Sequence, residues 1–473
     1  MTSILLVEDD PRGLQSVVEI LAELPGQVVP VIAKSRAAAL AVLESQFFDL
    51  MILDLSIPAE DGGEVAQPEF GFAVFGRAKE IAPGMPIFLF TGSSTEEFVA
   101  DLLERKQTIE VWGPTKVNTV AVQKKLRLEE FSGALRPFVA GPHALDEVEL
   151  QRDGLVLSTE QQRLLRIFAK RFRGTKCVVS ALDDGLSGAR VLRVTLQDAQ
   201  GGIIHHAVAK IAGIAAIREE KDLYEMFVNR LRPAVTPRLL VALEFGAKAT
   251  GAVFYGLAAG HDSTFFKVDL ANGGLVTEAV IRTEDCMREW CEAGARNLHS
   301  VADIRSRLVS DATRAELLPQ YDLAWTAAFE NTNVNANWGC IHGDCHGGNI
   351  LLTAAGVPMV IDYGDVGPGA LTLDPVTLEL SIFFHPSGPL VNSAWPSPEN
   401  ALNWGNLDLY LDGCPCPTFI AQCRTWANRV AGGNRELAAS GYTYLLRQLK
   451  YPNTNKVRAM NLLAGVRRLY EST

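Results

Sequence analysis

Short apolar runs alternate with amphipathic segments along the first part of the chain. The runs predict β-strands at residues 3–7, 28–32, 50–55, 86–90 and 108–112. Apolar residues at helical spacing predict helices at residues 13–24, 36–45, 72–81, 95–105 and 119–129. Strands that alternate with helices form a parallel, doubly wound sheet. We therefore expect an α/β domain with a five-stranded parallel sheet over residues 1–130.

Glycine and proline interrupt this pattern after residue 130. Residues 131–154 carry three glycines and two prolines, which is typical of an interdomain linker. Residues 158–172 then predict an amphipathic helix with Ser158 as its N-cap. We interpret it as a helix packed on a domain; a signal-relay or dimerisation helix is the alternative. The linker and this helix together fill residues 131–174.

The remaining chain has a strand-rich part followed by a helix-rich part. Strands are predicted at residues 178–182, 190–196, 203–211 and 252–257, with one helix at 218–231. A mostly helical region follows, interrupted at residues 341–365. This order predicts a two-lobed α+β domain, with a smaller lobe at residues 175–260 and a larger one at 261–473.

Composition excludes several classes of protein. The chain has 473 residues, a net charge of -11 and a pI of about 5.4, so it lacks the basic footprint of a nucleic-acid-binding protein. The same charge disfavours anionic membranes, and no apolar stretch is long enough to span a bilayer. Eight cysteines in this length are too few for a disulfide framework. We expect a cytoplasmic protein with reduced thiols.

Polar side chains follow the strands of the predicted parallel sheet. The carboxyl ends of such strands meet in one crevice, and clustered carboxylates there suit Mg²⁺. A carboxylate held beside Mg²⁺ can act as a nucleophile toward a phosphoryl group. A hydroxyl and an ammonium group could then bind the added phosphate oxygens. The residues in question are Glu8, Asp9, Asp54, Thr91 and Lys116.

Four segments carry a resemblance to the receiver domain of two-component response regulators, which has a flavodoxin-like fold. They are ILLVEDDP, LMILDLSIPAEDG, FLFTGSS and PTKV, in that order over residues 1–128. The resemblance implies Asp54 as phospho-acceptor, Glu8 and Asp9 as Mg²⁺ ligands beside it, and a sensor histidine kinase as phosphate donor. It implies that Thr91 and Lys116 sense the phosphate.

Two features depart from the receiver pattern. Val117 follows Lys116 where the family usually has proline, and residues 60–75 are longer than usual. We favour a working acceptor, because the acids, the hydroxyl and the ammonium group are all present. A degenerate receiver that serves only for docking is the alternative.

A second group of polar residues lies in residues 341–365. CIHGDCHGGNILL places Asp344 and Asn349 in a loop before an apolar run, and PMVIDYGD delivers Asp362 and Asp365 after a strand. Phosphoryl transfer needs an acid to orient the acceptor hydroxyl and oxygen ligands to hold Mg²⁺ on the nucleotide phosphates. The residue types and their order meet that requirement.

This motif resembles the aminoglycoside phosphotransferase family and its choline kinase-like relatives. The resemblance implies Asp344 as catalytic base and Asn349 and Asp362 as metal ligands. It assigns Asp365 a structural role and Asp374 a buttressing role in the helical lobe. His342 and His346 are expected to support the loop.

The segment upstream supplies the groups expected to contact ATP. DDGLSGARVLRV resembles the family's phosphate-covering loop, with Gly185, Ser187 and Gly188 at its turn. Lys210 lies in an apolar strand, where a charged side chain needs a partner, and pairing with the ATP phosphates would provide one. Its acidic partner is expected on the next helix, where Glu220 shares the apolar face; Glu219 and Glu225 are the other candidates.

These features predict an ATP- and Mg²⁺-dependent phosphotransferase controlled by phosphorylation of Asp54. The acceptor is a small molecule or a protein hydroxyl, and residues 386–473 lie where the family builds its acceptor-binding part. The alternative is a pseudokinase scaffold that relays the receiver state without catalysis. A DNA-binding regulator is disfavoured because no helix-turn-helix with a basic recognition helix is visible. Partners expected are this acceptor and a second copy of the chain, with no nucleic acid and no membrane.

Overall fold

The chain forms two compact units in a computed structural model. The first unit comprises residues 1–218 and 239–257, and the second comprises residues 219–238 and 258–473. The structure describes all residues except 1, 25, 27, 64, 92–106, 126–127, 183–188, 234 and 258–259. Among the described residues, no helix is long and apolar enough to cross a membrane. The eight cysteines all lie in the described part of the chain and are free thiols.

A five-stranded parallel sheet begins the first unit and confirms the predicted fold class. Its order is β2-β1-β3-β4-β7, and each neighbouring pair is parallel. The strands are β1 Ile4–Val7, β2 Val31–Ala33, β3 Leu50–Leu53, β4 Ile87–Thr91 and β7 Val120–Lys124. The flanking helices are Pro11–Glu23, Arg36–Ser45, Pro68–Ile81 and Leu128–Asp146.

The fifth strand of this sheet is not the one that the sequence predicted. The apolar run at 108–112 contributes only β5 Thr108–Glu110, which pairs antiparallel with β6 Lys116–Asn118 in a separate hairpin. The fifth sheet position belongs to β7, inside the segment predicted as a helix at 119–129. Two short apolar runs satisfy the same local pattern, and only non-local pairing with β4 decides which one joins the sheet. The helix predicted at 95–105 lies outside the described residues.

The segment interpreted as a linker is largely helical. Helix Leu128–Asp146 continues to residue 146 with Pro137 and Pro142 inside it. Phe131 stacks on Phe90 of β4 with ring centroids 4.9 Å apart, and the same helix presents Phe138 to β4. Packing of these aromatic rings against the sheet offsets the unfavourable helix propensity of proline and glycine.

A six-stranded sheet completes the first unit. Its order is β12-β13-β11-β10-β9-β8. Helix Thr159–Arg171 packs on it, with Phe168 stacked on Phe254 at 4.0 Å. The predicted N-cap is confirmed, since Ser158 forms a reciprocal capping box with Gln161. The strands are β8 Glu149–Gln151, β9 Lys176–Ala181, β10 Arg190–Gln197, β11 Ile203–Gly213, β12 Arg238–Leu243 and β13 Thr250–Gly256.

One hydrophobic cluster connects the two sheets of the first unit. It includes Ile4 and Phe88 of the parallel sheet, both helices between the sheets, and Phe254 of the second sheet. A buried ion pair crosses the same boundary, because Arg163 of helix Thr159–Arg171 donates to Asp49 at 3.0 Å. The two sheets therefore share one core, with helices Leu128–Asp146 and Thr159–Arg171 between them.

The second unit is mainly helical, with two three-stranded sheets. The sheet orders are β14-β17-β18 and β15-β16-β19. The strands are β14 Ser263–Thr264, β15 Ala295–Ser300, β16 Asn333–Ile341, β17 Ile350–Leu352, β18 Pro358–Val360 and β19 Gly367–Ala370. Helix Ile214–Met226 spans the boundary between the units. The other helices are Gly273–Cys286, Arg288–Glu292, Val301–Ser306, Asp311–Leu317, Thr326–Glu330, Leu373–Phe384, Pro398–Leu402, Leu407–Tyr410, Pro417–Val430, Asn434–Lys450 and Lys456–Glu471.

Replacement of Arg163 by methionine is expected to destabilise the protein by about 3–5 kcal/mol, because it leaves the Asp49 carboxylate buried without a counter-charge. Burial raises the pKa of Asp49 from 3.8 to about 6, although Arg163 opposes that rise. The ionised form therefore opposes folding, and stability falls as pH rises through this window. The variant's deficit should be larger at pH 8 than at pH 5 in urea unfolding.

The control is the double variant Asp49→Asn/Arg163→Met, in which no buried charge remains. It should recover most of the lost stability at pH 8. A single Arg163→Met variant as stable as the wild type at pH 8 would show that the pair does not hold the two sheets together.

Candidate functional site

Three carboxylates meet at the carboxyl ends of β1 and β3 in the first unit. Glu8 and Asp54 are buried, Asp9 is partly buried, and one ligand oxygen from each lies within 4.8 Å of the others. The apolar strands place them there, since each strand ends where the acid begins. Asp10, the third acid of the run, instead caps helix Pro11–Glu23 by accepting from the Gly13 amide.

Lys125, not the predicted Lys116, contacts these acids. Its ammonium group lies 2.7 Å from Asp54 and 2.6 Å from Glu8. Lys116 is exposed on β6, opposite Glu110 in the hairpin. Lys125 reaches the acids because it comes directly after β7, the strand that occupies the fifth position of the parallel sheet. A search for the lysine that follows the sheet's last strand would have found it, had that strand been assigned correctly.

Burial raises the pKa of both acids in this pocket. The pKa of Glu8 rises to about 7 because burial outweighs the effect of Lys125, and the nearby Asp54 adds to the rise. Burial also raises the pKa of Asp54 against the opposing effect of Lys125. One ammonium group therefore does not fully compensate the carboxylates, and a hard divalent cation with oxygen ligands fits the donor set. Thr91 ends β4, and its side chain lies outside the description.

A buried carboxylate holds the loop that follows β16 in the second unit. Asp374, in the first turn of helix Leu373–Phe384, accepts hydrogen bonds from the amides of His342 at 2.7 Å and Gly343 at 3.0 Å. Gly343 has φ of +81°, and a Cβ there would lie 2.3 Å from the Asp365 carbonyl oxygen. Both the backbone conformation and the available space therefore require glycine.

Side chains inside the loop fix its shape. His342 donates from Nε2 to the Ile361 carbonyl at 3.1 Å and accepts the Asp344 amide at Nδ1, so both of its ring nitrogens hold the loop. Asn349 is buried and donates its amide to the Asp344 carbonyl at 2.9 Å. Asp362, after β18, adopts φ of +67°.

The Asp344 carboxylate lies between two donors. Arg447 donates to Oδ1 at 2.8 Å, and Nε2 of His346 lies 3.5 Å from Oδ2. His346 accepts the Gly348 amide at Nδ1, so its neutral form carries the proton on Nε2, facing Asp344. Burial alone would raise the pKa of Asp344, but His346 and Arg447 lower it to about 2. Burial also lowers the pKa of His346, although the Asp344 carboxylate opposes that shift.

Arg447 is a second site residue, besides Lys125, that the sequence did not reveal. It lies in the last turn of helix Asn434–Lys450, about a hundred residues after Asp344. Its Nε donates to the Tyr451 hydroxyl at 3.1 Å, and its Nη2 lies 4.0 Å from the Asp365 carboxylate. The only sequence signal is an arginine in a helix whose other residues are mostly buried.

The residues predicted to contact ATP fall in both units. In the first unit, Lys210 lies on β11 opposite Val253 of β13. In the second unit, Glu220 is buried on helix Ile214–Met226, whereas Glu219 and Glu225 are exposed. Gly185, Ser187 and Gly188 lie outside the described residues.

Family models match both parts of the chain. Residues 4–108 match the response regulator receiver domain, and residues 281–396 match the phosphotransferase enzyme family. No curated protein matches the chain. The chain thus contains a receiver domain followed by a domain of the phosphotransferase enzyme family.

Solved structures similar to the chain include aminoglycoside phosphotransferases and receiver domains. A thermostable mutant of aminoglycoside phosphotransferase APH(4)-Ia, in ternary complex with ADP and hygromycin B, is 14% identical with a TM-score of 0.38, covering 62% of this chain and 93% of its own. The receiver domain of an HD domain-containing protein from Pseudomonas fluorescens Pf-5 is 22% identical with a TM-score of 0.23, covering 30% and 97%. A CheY-like receiver from Methanospirillum hungatei JF-1 is 24% identical with a TM-score of 0.21, covering 29% and 96%.

Replacement of Lys125 by methionine should make stability depend strongly on Mg²⁺. Without the ammonium group, the carboxylates of Glu8 and Asp54 repel each other, and a bound cation offsets that repulsion. We expect Mg²⁺ to raise the melting temperature of this variant by more than that of the wild type. Lys116→Met is the matched control and should behave as the wild type. Equal Mg²⁺ responses of the two variants would contradict the placement of Lys125.

Proposed function

We propose that this protein is an ATP- and Mg²⁺-dependent phosphotransferase whose activity is controlled by phosphorylation of Asp54. The observation that supports it most directly is the geometry around Asp344. A carboxylate held as an anion, an Asn349 amide fixed by the same loop, and Asp362 after the next strand provide an acid and two oxygen ligands. These are the groups that phosphoryl transfer to a hydroxyl requires.

Each residue has a defined task in this proposal. Asp344 orients the acceptor hydroxyl and receives its proton, and its low pKa makes it better suited to positioning than to early proton removal. The amide oxygen of Asn349 and the carboxylate of Asp362 are the proposed Mg²⁺ ligands, and Lys210 is the proposed partner of the nucleotide phosphates. Bound Mg²⁺ would neutralise charge on the transferring group. The acceptor is a small-molecule or protein hydroxyl.

One observation supports a second candidate function, a pseudokinase scaffold that relays the receiver state without catalysis. In this structure Arg447 occupies Oδ1 of Asp344, the atom that an acceptor hydroxyl would approach. A protein that only binds nucleotide or a partner could keep that ion pair permanently. A catalyst must open or share it when the acceptor arrives. An activity measurement therefore separates the two functions.

Substitution of Asp344 by asparagine is expected to reduce ATP-dependent phosphoryl transfer by about 10²–10⁴-fold, because the amide cannot accept the hydroxyl proton. The measurement is ADP release and protein or metabolite phosphorylation by the full chain with Mg²⁺ and ATP. Binding of ADP should be unchanged, which controls for folding. Turnover that persists undiminished in Asp344→Asn would remove the catalytic role from this residue, and absence of turnover in the wild type with ADP bound would favour the scaffold.

Control by Asp54 is supported by the packing of the first unit. Lys125 pairs with Asp54 and follows β7, while Phe131 of the next helix stacks on Phe90 of β4. Helix Thr159–Arg171 packs against that helix and, through Phe168, against Phe254 of β13. A phosphoryl group on Asp54, donated by a sensor histidine kinase, would add charge beside Lys125 and bias this packed arrangement.

The series of packed contacts that begins at Asp54 ends beside β11, the strand that carries Lys210. Phe254 of β13 lies opposite Ala209, the neighbour of Lys210 on β11. A shift in the packing of helix Thr159–Arg171 would therefore displace the strand pair β11 and β13, which positions the proposed phosphate-binding lysine. The physical element that both sites bias is the helix layer between the two sheets.

Treatment with acetyl phosphate and Mg²⁺ is expected to change the phosphotransferase rate of the wild type and to leave that of Asp54→Ala unchanged, because only the carboxylate can accept the phosphoryl group. Beryllofluoride, an aspartyl-phosphate mimic, should reproduce the change. The rate of ADP release before and after treatment is the measurement. An equal response in Asp54→Ala would exclude control through this residue.

A further inference from the structure

The last two helices of the chain are rich in basic residues. Residues 437–470 contain six lysines and arginines and no aspartate or glutamate, although the whole chain carries a net charge of -11. Four of the six have structural partners. Lys456 and Arg458 donate to backbone carbonyls, Arg467 pairs with Glu471, and Arg468 donates to Asn403.

Arg447 differs from these four because it faces the proposed catalytic carboxylate. Its side chain is 17% exposed, and it contacts Asp344 at Oδ1. Lys450, one turn further along the same helix, is exposed and lies over the ring of Tyr451 at 5.6 Å. Tyr451 in turn accepts the Nε–H of Arg447. Two cations and a tyrosine therefore flank the place where an acceptor must present its hydroxyl.

The guanidinium of Arg447 retains donors that a ligand could use. Hydrogen bonds among the described residues use two of its five N–H groups, one to Tyr451 and one to Asp344. The Nη2 group faces the carboxylate of Asp365 at 4.0 Å, beyond hydrogen-bond distance, and that side chain is 59% exposed. The remaining donors form the edge of a planar fork, which suits the paired oxygens of a carboxylate or phosphate.

We infer that the acceptor is a small hydroxy compound that carries a carboxylate or phosphate group, bound by Arg447 while its hydroxyl lies at Asp344. The inference rests on the proposed phosphotransferase function and names its substrate class. A small acceptor fits because the guanidinium is mostly buried, so only a compact group reaches it. An ammonium group at the same place would be repelled by Arg447.

The reaction is a phosphoryl transfer from ATP to the acceptor hydroxyl. The hydroxyl oxygen forms a bond to the γ-phosphorus, and the bond from that phosphorus to the β,γ-bridging oxygen breaks. The hydroxyl proton passes to Asp344 and then to water. The products are ADP and a phosphate ester that keeps its original anionic group. An anion that pairs with Arg447 also draws the guanidinium away from Oδ1 of Asp344, which leaves that oxygen for the hydroxyl.

The experiment measures binding and turnover of four probes that share a three-carbon hydroxyl skeleton. Glycerate and glycerol 3-phosphate carry the two anions, glycerol is neutral, and 2-amino-1,3-propanediol is a cation. Titration calorimetry on the full chain with Mg²⁺ and ADP reports binding, and ADP release with Mg²⁺ and ATP reports turnover. We expect one or both anions to bind at least tenfold more tightly than glycerol and the amine.

Variants at Arg447 then assign the selectivity. Arg447→Gln should weaken anion binding about 10- to 100-fold, as expected for loss of a charge-assisted hydrogen bond, with the ADP affinity unchanged. Arg447→Lys keeps the charge and should retain part of the anion preference. Arg467→Gln, the same substitution at an exposed arginine of the next helix, is the matched control and should bind all probes as the wild type does.

Several outcomes would overturn the inference. They are equal binding of glycerol, amine and anions, a loss in Arg447→Gln that is the same for every probe, binding of neither anion, or turnover confined to an acidic serine-containing peptide. Failure of the proposed function looks different. Anion binding that depends on Arg447, without any phosphoryl transfer, would support the anion site and contradict the proposed phosphotransferase activity. Phosphoryl transfer without a preference for anions would support the phosphotransferase activity and contradict the anion site.

Discussion

A buried carboxylate must have a partner, and this constraint organises both units. Transfer of an unpaired carboxylate into the protein interior costs several kcal/mol, so each such group is matched by a cation or by amide donors. Asp49 has Arg163, Asp374 has two loop amides, and Asp344 has Arg447. The Arg163 pair joins the two sheets of the first unit. The Asp374 bonds shape the loop of the second unit, and the Arg447 pair sets the charge at its centre.

The matching of charge is also incomplete in the pocket of Glu8 and Asp54. Lys125 serves both acids, yet burial still raises their pKa values. Unmatched charge of this kind suits a site that takes up a cation or a phosphoryl group. The incomplete compensation therefore agrees with the family match of residues 4–108 to a receiver domain.

Local sequence signals found most of the fold and part of the site. The alternation of strands and helices predicted the parallel sheet, and Ser158 marked a helix start because capping chemistry is local. The short loop between β16 and β18 was visible because its polar residues are close in sequence. The roles proposed for these residues rest on the motif's resemblance to the phosphotransferase family, which a family model matches at residues 281–396, and they stay predictions.

The errors share one physical cause, which is that the deciding interactions are non-local. Lys116 was chosen because the run before it has the pattern of a strand, but pairing with β4 gave the sheet position to β7 and thus the contact to Lys125. Pro137 argued for a linker, but aromatic packing on the sheet keeps that segment helical. Arg447 contacts Asp344 from a helix that is distant in sequence, and no local sequence pattern predicts that contact.

The hydrophobic cluster shared by the two sheets of the first unit has a consequence for how this chain can evolve. Receiver domains attached by a flexible tether can be exchanged as modules, because few contacts cross the boundary. Here the helices Leu128–Asp146 and Thr159–Arg171 belong to the cores on both sides. A different receiver placed before residue 150 would leave Arg163 of helix Thr159–Arg171 without Asp49, the buried carboxylate with which it pairs. The two parts must therefore be inherited together, and substitutions in one should be accompanied by compensating substitutions in the other.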